Sequence, residues 1–593
     1  MFKLFTNFVH EHGSKFRTRI IFVLLSAIVA ASFEVIGVAL LYPLITISMN
    51  PDLVEKSEKI RFVYELLGFN DTTFFLVFIA FCVGMSFIIK NVYMLIQQRF
   101  QFNLVRDWRN DICSNLMDNY IRAPLTFHLT KDSSTIINNL TAVVSRAVNS
   151  YLIQCIMLVS NMIVCFALLA MLLFQYSGIS LLIGGVVGGL IFIQMKVIRK
   201  VTRKLNDEYV QASQENIGIL TMALAGVKDT KLIGKESVFL DKYNVSNRKV
   251  SDLDKTNMFI QYIPIYLTEA ILMFGIVMFI SYVLLTSNNP AEGIASITLL
   301  AAVAIRLAPM MNRVLYCYSQ IKSSSNAVET IQNEFEQLID KSDLANNKLE
   351  FKDNITFKDI NFSYDGKNGK GLKAVNAVIK KGDFIGVVGS SGAGKTTFAD
   401  VLSGLLTITS GNVFIDGKHV SLTDYKGIRN NVSYVSQSPF ILNTSIRENI
   451  AFGIPKADIN DTEVFEAIKK AGLTEIAAEL GLDYVLGENG KKLSGGQRQR
   501  VIIARALYFN REIIVLDEAT SALDAATEND ISNAISALKG DRTIIVIAHR
   551  LSTLKNADKL FIFNEGSISA IGEFDTLTKE NDEFRTMVEL SRY

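Results

Sequence analysis

Six apolar runs, each long enough to cross about 30 Å of hydrocarbon, lie in the first 320 residues and limit what this chain can become. They cover roughly 20–47, 74–96, 152–174, 178–196, 259–285 and 293–315. The fourth, SGISLLIGGVVGGLIFIQMK, is rich in glycine, which lets membrane helices approach closely. Basic residues flank the runs on one side. Lys15, Arg17 and Arg19 precede the first, Arg99, Arg106 and Arg109 follow the second, and Lys196, Arg199, Lys200, Arg203 and Lys204 follow the fourth. The turns 175–178 and 286–293 carry one charge between them. An excess of Lys and Arg marks the cytoplasmic side, so both termini and both long inter-span segments are expected there.

Those segments, 97–150 and 197–258, are charged and contain a single proline, Pro124. They are expected to carry the membrane helices well into the cytoplasm. The first sixteen residues, charged and mildly amphipathic with no A-x-A-like cleavage site after them, predict a helix along the cytoplasmic membrane surface. In the outer loop 48–73, Ile60, Val63, Leu66 and Leu67 have the spacing of a short amphipathic helix; an ordinary turn is the alternative.

Charge excludes one class of partner. Sixty Lys and Arg stand against 58 Asp and Glu, a net of +2, so the basic excess of a nucleic-acid binder is missing. The five cysteines are scattered, form no C-x-x-C pair and read as small buried hydrophobes. Beyond about residue 350 the apolar runs shrink to strand length: FIGVVG, NVFIDG, NVSYVSQ, EIIVLDE and TIIVIAH. This predicts an α/β domain with a largely parallel core sheet. The expected division is a membrane domain over 1–335, a linker over 336–353 and the α/β domain over 354–593.

Residues 389–396, GSSGAGKT, match G-x-x-x-x-G-K-[ST] between an apolar strand and a helix-like run, the context that a phosphate-binding loop requires. Gly389, Ser390, Ser391, Gly392, Ala393, Gly394 and Thr397 would turn backbone and hydroxyl groups toward nucleotide phosphates. Lys395 would reach the β- and γ-phosphates, and the Thr396 hydroxyl would bind Mg²⁺. IIVLDE, 513–518, reads as a buried strand ending in two acids. Asp517 would hold Mg²⁺ and Glu518 would polarise the attacking water as general base.

LSGGQRQR, 493–500, resembles the signature motif of ATP-binding cassette proteins, and the rest of the cassette matches in order. The resemblance implies that Ser494, Gly495, Gly496 and Gln497 contact ATP, that Tyr364 stacks on adenine, and that Gln437 senses Mg²⁺. It makes His549 the switch histidine on the γ-phosphate, SALD (521–524) the loop at the dimer interface, and GENG (487–490) the exporter-type turn. In that family ATP sites form between two cassettes, which implies a homodimer. Six spans, long extensions and a cassette resemble the ABC exporter architecture: an α-helical six-span transmembrane domain followed by an α/β nucleotide-binding domain. Coupling helices are then expected near 124–130 and 226–234.

The sixth run holds Arg306 and Arg313 on one face, since seven residues turn about 700°. Lys90 lies in the second run, Glu34 in the first and Glu269 in the fifth. Charges in spans are rare and face a cavity or a partner. Two readings stand. Arg306 pairs with Glu34 or Glu269 while Arg313 and Lys90 snorkel, or the three cations line a passage for an anionic substrate, guanidinium groups suiting phosphate. FEVIGVALLYPLI (33–45) and LLAAVAIRLAPMMNRVLYCY (299–318) resemble spans of bacterial lipid-linked oligosaccharide flippases serving protein N-glycosylation. Glu34, Pro43, Arg306, Pro309, Asn312 and Arg313 carry that resemblance; Ile265 departs from it, because the family has an arginine after the proline of the fifth span. It implies an inner-membrane flippase for a polyprenyl-pyrophosphate-linked oligosaccharide. The alternative is an exporter of another amphiphile, such as a lipid A-type glycolipid, a peptide or a drug. Six apolar spans exclude a soluble cassette ATPase, and an undegraded ATP site argues against a channel or a transport-dead regulator.

Overall fold

The computed structural model describes the chain except residues 1, 50, 52–53, 55–57 and 70, most of 176–210, 287–289, 339–348, 365–370, 439, most of 519–534, 549–550 and 591–593. It divides into two compact units, Met1–Ile121 with Ser133–Ile339, and Arg122–Asp132 with Asp340–Tyr593.

The first unit is helical. α1 (Phe2–His12) buries Phe8 against Trp108, with ring centroids 6.4 Å apart. Gly13 follows because a Cβ there would lie 2.7 Å from the Trp108 ring. The first apolar run forms α2 (Arg17–Ala39) and, after a break at Leu40, α3 (Leu41–Met49). α4 (Glu58–Leu66) is the short helix expected in the following loop. Its Ile60 packs on a cluster of Ile47, Val54 and Phe75, and its Phe62 and Leu66 are exposed.

α5 (Thr72–Ile121) has 50 residues, which is about 75 Å of helix, more than twice the hydrocarbon thickness. The predicted extension is therefore present. α6 (Leu125–Thr130) belongs to the second unit. α7 (Ser133–Asn138) widens into π turns over Asn139–Val143 and Arg146–Leu152 before α8 (Ile153–Gln175). α9 (Val227–Ile233) ends on Gly234 in the left-handed region and occupies the expected second coupling position. α10 (Glu236–Thr286) and α11 (Pro290–Leu338) repeat the long-helix pattern. Among the described residues, four helices are long and apolar enough to cross a membrane: Ser14–Met49, Thr72–Ile121, Ser133–Met171 and Glu236–Met278. The fourth predicted span, 178–196, lies almost entirely outside the described residues.

The second unit has two sheets. β1 (Asn354–Ser363), β2 (Gly371–Lys380), β4 (Ser410–Ile415) and β5 (Lys418–Val420) form an antiparallel sheet in the order β2-β1-β4-β5. β3 (Phe384–Gly389), β6 (Val432–Val435), β7 (Ile513–Asp517), β8 (Thr543–Ile547), β9 (Lys559–Asn564) and β10 (Ser567–Gly572) form the second sheet, in the order β10-β9-β3-β8-β7-β6. Only β10 runs antiparallel there. Every residue of β7 is buried, as a strand covered on both faces requires.

The core sheet is largely parallel, as expected, and one of the five strand-length runs lies outside it: NVFIDG forms part of the antiparallel sheet. Asp416 and Gly417 both have positive φ, 51° and 74°, and close a two-residue hairpin from Ile415 to Lys418. Such a turn makes antiparallel neighbours only. Within this unit, Leu125 of α6 packs against the apolar cluster around Phe357, Phe398 and Phe561.

Candidate functional site

The parallel strands deliver the chemistry at their C-terminal ends. β3 ends at Gly389, and the loop 390–394 leads into α12 (Lys395–Leu402). Gly389 (φ 155°) approaches β9 so closely that a Cβ would sit 2.3 Å from the Phe563 carbonyl oxygen. Gly394 (φ 102°) makes the left-handed step into the helix. The buried Lys395 donates to the carbonyls of Gly389 (2.8 Å) and Ser390 (2.9 Å). Burial lowers its pKa, and the nearby Glu518 and Asp517 oppose that.

β7 places Asp517 and Glu518 beside this loop. Burial raises the Asp517 pKa, against hydrogen bonds from Tyr434 and Thr396 and in concert with the Glu518 charge. The Tyr434 hydroxyl donates to Asp517 Oδ2 at 3.1 Å. Glu518 adopts φ 50°, a left-handed conformation that costs a non-glycine residue about 1–3 kcal/mol. Its backbone N–H donates to Ile547 (3.0 Å), and its carbonyl accepts from Gln499 (3.4 Å). The Gln437 amide donates to Glu518 Oε2 at 2.5 Å. The surroundings thus over-determine this strained residue.

Thr396 and Asp517 offer adjacent hard oxygen donors with Gln437 close by, a set that fits Mg²⁺. The Tyr364 hydroxyl lies 3.2 Å from Thr397 Oγ1, with its ring edge-on to Phe362. Ser494 caps α13 (Gly495–Tyr508) in a capping box: Gln497 N–H donates to Ser494 Oγ (3.2 Å), and Ser494 N–H donates to Gln497 Oε1 (2.8 Å). Gly495 and Gly496 open that helix. Gly487 and Asn489 both take positive φ in the GENG turn. His549 and the loop 521–524 lie outside the described residues.

Sequence reasoning missed two members of this cluster. Asp400, one turn along α12 from Thr396, hydrogen-bonds Tyr434; burial and the Asp517 charge push its carboxyl up to about 6. Burial among these two acids raises the Tyr434 phenol pKa as well. The available signal was the i, i+4 spacing of Thr396 and Asp400 on one helix face.

In the first unit, Glu34 of α2 collects two of the three predicted cations. Its Oε2 lies 2.5 Å from the Lys90 ammonium and its Oε1 3.5 Å from Arg306 Nε. Glu34 and Lys90 are buried, whereas Arg306 is partly exposed with its guanidinium 4.7 Å from the Phe87 ring centre. Glu269 is exposed on α10. Removing one partner of a buried pair costs about 3–5 kcal/mol, because the other charge is stranded. Arg313 is exposed, makes no ion pair among the described residues, and borders a cavity between α2, α5, α8 and α11.

A phosphate loop on a parallel sheet, two acids on the neighbouring strand, a capped signature helix and a unit of long apolar helices define a membrane-bound ATPase of the cassette type. The ABC transporter family model matches residues 372–521, and the ABC transporter transmembrane region matches 20–306. The chain is 32% identical over 415 residues to the ATP-dependent lipid A-core flippase of Haemophilus influenzae, covering 68% of this chain and 69% of that protein. It is 29% identical over 527 residues to the ATP-dependent lipid A-core flippase of Desulfotalea psychrophila, covering 87% and 90%. Its fold is similar to that of a bacterial Atm1-family ABC exporter with ATP bound: TM-score 0.80, 20% identity, 98% and 99% of the chains covered. The chain belongs to the ABC transporter family. It is an exporter-type half-transporter, a membrane domain followed by a nucleotide-binding domain, that couples hydrolysis of ATP, used with Mg²⁺, to transport.

Proposed function

We propose that two copies of this chain flip an anionic glycolipid from the inner to the outer leaflet of the bacterial inner membrane. The observation that carries this reading is the charge balance of the membrane cluster: Lys90, Arg306 and Arg313 against Glu34 alone among the described residues. Positive charge in excess of its partners, on membrane helices, calls for an anion. Arg306, partly exposed and sharing Glu34 with Lys90, and Arg313, with no ion-pair partner among the described residues, are the groups that meet it; Lys90 holds Glu34 in place. The relatives' names support a glycolipid, lipid A-core above all. A polyprenyl-pyrophosphate-linked oligosaccharide is the second candidate within the same chemistry, favoured by the arginine pair on one helix face.

In the nucleotide-binding domain, Lys395 and the loop amides hold the phosphates, Thr396, Asp517 and Gln437 hold Mg²⁺, and Tyr364 stacks on adenine. Glu518 takes the proton of the attacking water, and His549 orients the γ-phosphate. Ser494 to Gln497 of the second copy close the site. Six spans and a homodimer complete the proposed architecture.

The test is ATP-dependent flipping in proteoliposomes, offering lipid A-core and the polyprenyl-pyrophosphate oligosaccharide separately. Wild type should flip one of them, and Arg313→Ala should lose flipping while still hydrolysing ATP. Glu518→Gln should bind ATP yet hydrolyse it at least about 10²-fold more slowly. Transport of neither lipid would overturn the glycolipid reading. Undiminished flipping by Arg313→Ala would remove that arginine from the substrate path.

A further inference from the structure

A cavity of about 280 Å³ lies inside the first unit where α2, α5, α8 and α11 meet. Gln97 and Gln101 line it from α5, Gln154 and Asn161 from α8, Arg313 from α11, and the small Ala30 from α2. Such a lining is unusual among apolar helices, because a buried amide is unfavourable unless its hydrogen bonds are met.

They are met in part. Gln97 donates to the Ser26 hydroxyl (2.9 Å), Asn161 donates to the Met157 carbonyl (2.7 Å), and Gln154 accepts from the Cys317 thiol (3.1 Å). An amide offers two donors and two acceptor sites, so each retains capacity. The side chain of Gln101 is the clearest case: the residue is 7% exposed, lines the cavity, and makes no side-chain hydrogen bond among the described residues.

The lining selects a chemistry. An acyl chain offers nothing to five amides, Gln98 of α5 included. A cation would call for a carboxylate, and none lines the cavity. A bare phosphate would call for several cations, and Arg313 alone is there. Groups that both donate and accept, as amides do, match hydroxyls, which do the same. The cavity volume suits a sugar ring and not a whole lipid headgroup. Gln97 and Gln101 lie just past the second apolar run, among Arg99 and Arg106, on the side where a substrate from the inner leaflet arrives.

We propose that this amide-lined cavity binds an outer sugar of the transported glycolipid, one attached beyond the lipid A unit or beyond the pyrophosphate, with Gln101 and its neighbouring amides reading the hydroxyls. The inference rests on the glycolipid reading and adds the place where the sugar is held.

The experiment measures binding to the full-length wild type in nanodiscs. The probes are lipid A with and without its core sugars, and polyprenyl pyrophosphate with and without its oligosaccharide. The two pairs separate the two sources of sugar. The readout is the ratio of Kd values within a pair, which general destabilisation does not move. Wild type should prefer the member that carries the core sugars or the oligosaccharide by about tenfold or more in one pair, the scale of two hydrogen bonds. Gln101→Leu should bring that ratio to within about twofold. Ala30→Leu, which fills the cavity and removes no amide, should do the same, and it decides the matter where Gln101→Leu fails to assemble. A wild-type ratio near one, or a ratio that survives both substitutions, overturns the proposal. Wild type that flips glycolipid yet shows no such ratio fails this inference alone; wild type that flips none fails the parent reading too.

Discussion

At the residue scale, Asp400 shows how the site is supported from beneath. Its carboxyl is largely buried behind Tyr434, close enough to Asp517 that two negative charges disfavour each other. In the unfolded chain it ionises near 3.8, whereas in the folded chain it stays protonated up to about 6. The raised folded pKa means that its contribution is fully favourable below pH 3.8 and is lost as pH rises through 6. The loss amounts to about 3 kcal/mol at most. Asn cannot ionise and keeps the size and polarity of the side chain. In nucleotide-free protein, Asp400→Asn should therefore raise the melting temperature, and the gain should grow between about pH 5 and about pH 7.5. A gain that stays constant with pH would place the ionised carboxylate comfortably in the fold. Burial disfavours the charged form of Asp517 as well, the form that its proposed role at Mg²⁺ would require.

At the element scale, the signature helix α13 begins on a reciprocal cap between Ser494 and Gln497, so the motif residues have a structural task whether or not nucleotide is near. Ser494→Ala should cost the first turn about 1 kcal/mol. Amide exchange at 496–498 should then quicken about fivefold in nucleotide-free protein, while Ser494→Thr keeps it slow. Unchanged exchange in Ser494→Ala would leave that turn held by something other than the cap. Elements of this kind were the most legible in the sequence. GSSGAGKT announced strand, loop and helix together, and β7 announced itself by five buried apolar and acidic positions ending in Asp517. The long helices followed from charge without proline. What was not legible depends on which distant residues meet. NVFIDG has the apolarity of a core strand, and its pairing with the distant β1 and its Asp416-Gly417 hairpin to β5 place it in the other sheet. Glu34 could not be matched to Lys90 and Arg306 over Glu269, because the choice is made by packing of α2 against α5 and α11. Asp400 and Tyr434 carry no motif, since burial beside Asp517 is what gives them a role.

At the scale of the whole molecule, one chain carries one phosphate loop and one signature helix. Two arrangements use the same parts. Each chain assembles its own site, or each site takes its phosphate loop from one chain and its signature from the other. A mixed dimer distinguishes them. One chain carries Lys395→Ala, which removes the ammonium beside the loop carbonyls, and the other carries Ser494→Arg, which removes the cap and adds bulk where the signature is proposed to face nucleotide. In either homodimer both sites are defective under both arrangements. In the mixed dimer, sites built within a chain remain defective, one through its lysine and the other through its serine. Sites built across chains sort differently: one collects both lesions, and the other combines the intact loop of the Ser494→Arg chain with the intact signature of the Lys395→Ala chain. Mixed dimers purified through two different tags should therefore hydrolyse ATP at up to about half the wild-type rate, while both parental homodimers stay near background. Activity in the mixed dimer alone has no explanation from separate chains, because neither chain holds a complete set. A mixed dimer as inactive as its parents would mean that the sites do not form across the dimer, or that both must be intact before either turns over. Trapping one labelled nucleotide per mixed dimer, against none in the homodimers, would separate those two outcomes.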